Sequence, residues 1–162
     1  MDITFNTDVG KFNFRVGAII IEDGKVLMVQ RDEDDFYYSV GGRVKMNETT
    51  EEAVAREAFE ETGQHFEVDR LGFVHENLFT YDRTGERFTE IAFFYYMKVS
   101  SNINNVNNIF TEYNEQGERC SSGKLVWLPL DKLSDFAVYP TFFKTELLKH
   151  IETIKHVVQR EK

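Results

Sequence analysis

A capped helix stands early in a chain that otherwise reads mostly as strands. Thr49-x-x-Glu52 is a capping box, Ala, Glu and Arg fill the interior, and Gly63 sits where a left-handed cap belongs, so the spacing predicts a helix over Thr49 to Thr62. Ahead of it, Val16-Gly17-Ala18-Ile19-Ile20-Ile21 and Val26-Leu27-Met28-Val29 are separated by Glu22-Asp23-Gly24-Lys25, a hairpin signal. Arg31 to Asn47 holds acids, three consecutive aromatics and the pair Gly41-Gly42 without a sustained period, and is expected to be mainly loop. Beyond the helix, Phe66 to Phe79 and Phe88 to Val99 read as strands around the turn Asp82-Arg83-Thr84-Gly85. Asn102 to Gly123 reads as a long polar connection, and Leu125-Val126-Trp127-Leu128 as a short strand ended by Pro129. Pro140 is suited to a first helical turn, and Phe143, Leu147, Ile151, Ile154 and Val158 recur at helical spacing, predicting a C-terminal helix over Thr141 to Gln159 that covers one face of the sheet.

Composition narrows the function classes. At 162 residues with only 2 prolines and no linker, the chain is read as one domain, 1–162. A formal charge of -9 repels a phosphate backbone, which argues against a binder of nucleic acid polymers; a small anionic substrate needs a bound cation or local arginines to reverse the field. Cys120 has no partner for a disulfide or a Cys-based zinc site. The longest apolar stretch, Ile91 to Met97, has 7 residues where a membrane span needs about 20, and Met1 to Asn6 lacks the pattern of a secretory signal. These features lead us to expect a soluble, cytoplasmic protein without a membrane partner.

The chemistry concentrates between Gly41 and Gly63. On a helix, Glu57, Glu60 and Glu61 fall within an arc of about 100° and turn their carboxylates to one side. Such charges repel each other unless a divalent cation joins them, and hard carboxylate oxygens suit Mg²⁺. Taken alone, the triplet also describes a solvated helix face, since the chain has 18 glutamates.

The wider pattern separates these readings. Gly42-x5-Glu48-x7-Arg56-Glu57-Ala58-x-Glu60-Glu61-x-Gly63 resembles the signature of the Nudix hydrolase family, G-x5-E-x7-R-E-U-x-E-E-x-G-U, where U is a bulky aliphatic residue. Every charged and glycine position agrees; Gln64 replaces the last aliphatic, Ala58 is small, and Val40 stands where the family often has proline. The resemblance implies an α/β fold, an α/β/α sandwich with a mixed β-sheet, its catalytic loop and helix following the first hairpin. It implies hydrolysis of a nucleoside diphosphate linked to another moiety, with Mg²⁺ or Mn²⁺. Carried over by position, Glu57, Glu60 and Glu61 are metal ligands, the carbonyl of Gly41 is a further one, and Arg56 and Glu48 orient the ligands.

The proton acceptor is left between Glu57 or Glu60 on the helix and Glu90, Glu112, Glu115 or Glu118 elsewhere. Phe36 and Tyr38 are candidates to stack on a base, and Arg31 and Arg43 to pair with phosphate, against ordinary roles in core packing and charge balance. The four histidines and Cys120 are assigned no role. A non-catalytic nucleotide- or protein-binding module and a diphosphate isomerase are the competing classes. Nudix proteins are often dimers, which leaves a homodimer as an analogy.

Overall fold

The computed structural model describes residues 1–99, 109–113 and 119–161. Its strands are β1 (Thr4–Thr7), β2 (Gly10–Ile19), β3 (Ile21–Glu22), β4 (Lys25–Arg31), β5 (Tyr37–Arg43), β6 (Glu67–Tyr81), β7 (Glu86–Lys98), β8 (Ile109–Tyr113), β9 (Arg119–Pro129), β10 (Val138–Tyr139) and β11 (Lys155–Arg160). Helix α1 (Thr50–Thr62) lies between β5 and β6, and a short α2 (Phe143–Glu146) between β10 and β11. The sheet runs β11-β6-β7-β2-β5-β4-β9-β8, with β1 on β2, β3 on β4 and β10 on β5. It is mixed: β11 pairs with β6, β2 with β7 and β10 with β5 in parallel, and the other pairs are antiparallel.

Alternation along the strands builds two cores. In β4, Leu27 and Val29 face one side and Val26 and Met28 the other, as a two-residue period requires. On the first side α1 lays Ala53, Val54 and Ala58 against Val16, Val40 and Val44. On the second, the 3₁₀ turn Leu130–Asp135 and α2 supply Leu133 and Phe143, which with Phe142 pack on Phe73 and Phe94. The sheet thus lies between helical layers of unequal size.

The capped helix is as expected: Thr49 and Glu52 exchange both capping-box bonds, and Gly63 adopts φ 72°. The hairpin turns at Asp23-Gly24, but only Ile21–Glu22 pairs with Val26–Lys25, while β2 proper is held by β7 and β5.

Three expectations are corrected. Tyr37–Arg43 is a central strand rather than loop. Gly41 holds φ 144°, and a Cβ there would overlap the Val16 carbonyl, so this glycine admits close approach of β2 instead of breaking the strand. Within Asn102 to Gly123, 109–113 and 119–123 belong to β8 and β9, a pairing between distant segments that the polar composition conceals. The C-terminal helix over Thr141 to Gln159 is the third. Only Phe143–Glu146 is α-helical, and Lys155–Arg160 is a strand whose inward and outward residues alternate. Phe143 and Leu147 are buried, whereas Ile154 and Val158 are 59% and 60% exposed, so the apolar stripe is not a single buried face. Pairing with the edge of β6, from Phe73 to Leu78, satisfies the backbone of this segment instead.

Candidate active site

Strand β5 and helix α1 meet at the glycine pair. A Cβ on Gly42 would overlap the Glu57 carboxylate, so the absence of a side chain is what lets Glu57 lie against the strand. Next to it, Gly41 donates its N–H to Glu61 Oε2 at 2.9 Å, tying the helix to β5 from a buried carboxylate. The loop between strand and helix turns at Asn47, whose φ of 62° is tolerated by asparagine, and Glu48 accepts the Lys45 N–H at 2.9 Å.

Arg56 is the hub. Its Nε and Nη2 reach the two oxygens of Glu48 at 2.6 and 2.9 Å, a bidentate fork, and Nη2 also donates to the Arg43 carbonyl at 3.0 Å. The Nη1 group lies between Glu57 Oε1, at 2.6 Å, and Glu60 Oε2, at 3.2 Å. Burial raises the pKa of Glu57 above the usual carboxylate range, and Arg56 opposes that rise. Glu48 is held below its ordinary value, chiefly by its hydrogen bond from Arg56. The Arg56 guanidinium is correspondingly pushed upward: its hydrogen bonds to Glu48 and Glu57 outweigh burial, the largest single influence.

The carboxylates are therefore gathered in two groups. Glu57 and Glu60 share one cationic nitrogen, while Glu61 is engaged with β5. No three acidic, histidine or cysteine side chains among the described residues converge as a ready metal cage. Donor chemistry nonetheless fits a hard dication. Glu57 and Glu60 already flank a positive charge, and the bare backbone of Gly42 leaves space only for the carboxylate beside it.

A cavity of about 340 Å³, a size suited to a small organic ligand, is lined by none of the signature carboxylates, but its lining includes Val16 on β2, the register partner of Gly42. Arg15 links the two: it lines the cavity and its charge also acts on Glu57. Phe36, Tyr38 and Tyr139 form one wall, with Phe36 4.9 Å from Tyr38 and 5.3 Å from Tyr139 between ring centroids. The parallel pairing of Tyr139 with Tyr38 brings these residues together from distant segments. Burial, followed by the charge of Asp34, pushes the Tyr38 hydroxyl up to about 12.

A family model of the NUDIX domain matches residues 11–147. The chain belongs to the NUDIX family. A MutT-like protein from Streptomyces ambofaciens is 41% identical over 61 residues, which are 38% of this chain and 40% of that protein. A MutT protein structure from Bacillus halodurans is 20% identical, covers 90% of this chain and 88% of its own, and superposes with a TM-score of 0.59. A NUDIX-family hydrolase from Clostridium perfringens gives 20% identity, coverage of 85% and 98%, and a TM-score of 0.55. An ADP-ribose pyrophosphatase from Streptococcus suis gives 17%, 90% and 98%, and 0.51. The structural likenesses establish the NUDIX fold, a mixed sheet with few helices.

Within this NUDIX domain, the signature residues Gly41, Gly42, Glu48, Arg56, Glu57, Glu60 and Glu61 come together around the β5–α1 junction. Phe36 and Tyr38 lie in the cavity wall. Arg31 stands behind Tyr38, its guanidinium carbon 5.4 Å from the ring centroid, and Arg43 pairs with Asp2 at 3.6 Å. The arginines of the lining are instead Arg15 and Arg83, the latter bound to Asp34 at 2.8 Å.

Of the candidate acids outside the signature, Glu90 enters the cavity, 3.8 Å from Arg15. Glu115 and Glu118 lie outside the described residues, and of Glu112 and Cys120 only the strand backbone is described. Sequence reasoning missed Arg15, His75, Asn77 and Gln159 as cavity residues. The available signal was polar residues at alternate positions of strand segments, as in Asn13 and Arg15 on β2 and His75 and Asn77 on β6.

His75 is 2% exposed, and burial pushes its imidazole down to about 4 from 6.5, with Gln159 opposing the shift. Between those values the unfolded chain binds a proton that the folded one does not, so stability rises with pH through the window. Acidification from pH 6.5 to 4 should therefore remove about 3 kcal/mol. Urea midpoints across that range check this; an equal loss in His75→Gln assigns the acid sensitivity to other groups.

Proposed function

We propose that this protein is a Mg²⁺-dependent hydrolase of a phosphoanhydride bond in a nucleoside diphosphate derivative such as a (d)NTP, ADP-ribose or a nucleotide sugar, with Mn²⁺ able to substitute. The observation that carries the reading is the pairing of Glu57 and Glu60 across one cationic nitrogen beside a strand glycine, with Arg15, whose charge acts on Glu57, lining a cavity of ligand size. The name of one structural relative, ADP-ribose pyrophosphatase, supports a small nucleotide substrate.

Glu57, Glu60 and Glu61, with the Gly41 carbonyl, would hold the dication, which supplies neutralisation of diphosphate charge and a more acidic water. Arg56 and Glu48 keep the ligand glutamates oriented, and Arg15 offers a guanidinium in the cavity lining whose charge also acts on Glu57. Proton transfer from the attacking water would fall to Glu57 or Glu60, beside which a bound dication would hold that water, with Glu90 as the cavity alternative.

Phosphate release from (d)NTPs, ADP-ribose, dinucleoside polyphosphates and nucleotide sugars, with a phosphatase coupled in, tests the reading. Mg²⁺-dependent turnover of at least one is expected; no turnover with Mg²⁺ or Mn²⁺ leaves the non-catalytic binding module. Millimolar Mg²⁺ should also raise the melting temperature by mass action, and Glu60→Gln with Glu61→Gln should abolish the rise. An undiminished rise in that double variant places the cation elsewhere.

A further inference from the structure

The cavity ends on a wall outside the family match. Residues beyond 147 include β11, which brings Gln159, and Glu161 just past its end, into the lining. Its parallel register sets Val157 beside His75 and Gln159 beside Asn77 on β6. Nε2 of His75 and Oδ1 of Asn77 are both buried with no hydrogen bond of good geometry among the described residues, although the Gln159 side chain lies close enough to the imidazole to bear on its titration. A buried polar atom left unpaired is costly, and two on one cavity wall, the first on an almost fully buried side chain, point to a ligand that completes them.

We propose that His75, Asn77 and Gln159 form a base-reading edge, selecting a planar nucleobase that presents an N–H donor beside a ring acceptor and rests its face on Phe36, Tyr38 and Tyr139. This rests on the function proposed above and adds to it the part of the substrate that is discriminated and the strand that does so. Charge favours a neutral ring here over a second phosphate. Two arginines, Arg15 and Arg83, share the lining with three acids, Asp82, Glu90 and Glu161, and the histidine is uncharged at neutral pH. Flat aromatic walls favour a stacked ring over a sugar. The neutral imidazole donates or accepts at Nε2 according to its tautomer, and the Asn77 oxygen requires a donor. Gln159 is anchored at the rim, its Oε1 accepting the Thr141 hydroxyl at 3.1 Å.

Binding of adenosine, guanosine, cytidine, uridine and ribose 5-phosphate, measured by NMR titration without divalent cation, tests this edge. At least one nucleoside should bind more tightly than ribose 5-phosphate, with shifts at Asn77 and Gln159. Asn77→Leu and Gln159→Leu should each weaken the favoured nucleoside about tenfold and flatten the preference among bases. Gln159 lies on an edge strand and is partly exposed, so its variant stands even if changes on β6 unfold the chain. Absence of nucleoside binding, equal binding of ribose 5-phosphate, or unchanged preference in Gln159→Leu overturns the proposal. Since these titrations need neither cation nor hydrolysis, nucleoside selection without turnover would defeat only the proposed activity. Turnover with unaltered base preference would defeat only the edge.

Discussion

Glu57→Gln should lower kcat by about 10²–10⁴-fold, the range associated with loss of a positioned general base, while the protein remains folded. The carboxylate is buried against Gly42, and its charged form is tolerated because Arg56 Nη1 lies 2.6 Å away. Glutamine keeps the shape and one carbonyl acceptor but removes both the charge and the site for a proton. Arg56 retains the Glu48 fork and Glu60, so the hub survives the change. Steady-state kinetics with saturating Mg²⁺, paired with a melting curve and with Glu90→Gln, separate the two acids. If Glu57→Gln keeps kcat within tenfold of wild type while Glu90→Gln falls by the larger factor, proton transfer belongs to the cavity acid.

Arg56→Ala should cost stability and activity together. One guanidinium serves Glu48, Glu57, Glu60 and the Arg43 carbonyl, and truncation leaves the largely buried Glu48 and Glu57 and the half-exposed Glu60 without their counter-charge. Removing one partner from a fully buried pair costs about 3–5 kcal/mol, and partial exposure of this network lowers the expectation to about 2–3 kcal/mol. For a chain of this length that is a melting temperature lower by about 4–12 °C. Loss of orientation at Glu57 and Glu60 should reduce kcat/KM by about 10–100-fold. Arg56→Lys should recover part of the stability but little of the rate, because an ammonium cannot reproduce the bidentate fork. A lysine variant with wild-type kinetics would reduce Arg56 to a simple counter-charge.

Local signals set the catalytic segment. The box at Thr49 and Glu52, the cap at Gly63 and the three- and four-residue spacing of the glutamates all act within one helix, where neighbours in space are near neighbours in sequence. The same holds for the Asp23-Gly24 turn and for β6 and β7. For Phe36 and Tyr38 the sequence offered both stacking and core packing, and their place in a cavity wall depends on Tyr139, about a hundred residues away.

What the chain alone determined is the capped helix, its carboxylate pattern and most of the strands, since hydrogen-bonding caps and side-chain periodicity are short-range properties. Tertiary structure decided the rest. Gly41-Gly42 became strand because β2 approaches Gly41, and the Glu57 carboxylate approaches Gly42, too closely for side chains, and 155–160 became strand because the β6 edge offered its backbone hydrogen-bond partners. The cavity likewise assembles Arg15 from β2 and Gln159 from β11 with His75 and Glu90 of the β6–β7 hairpin, three regions distant in sequence. Such placement follows from sheet pairing between remote segments, whose register no local spacing encodes.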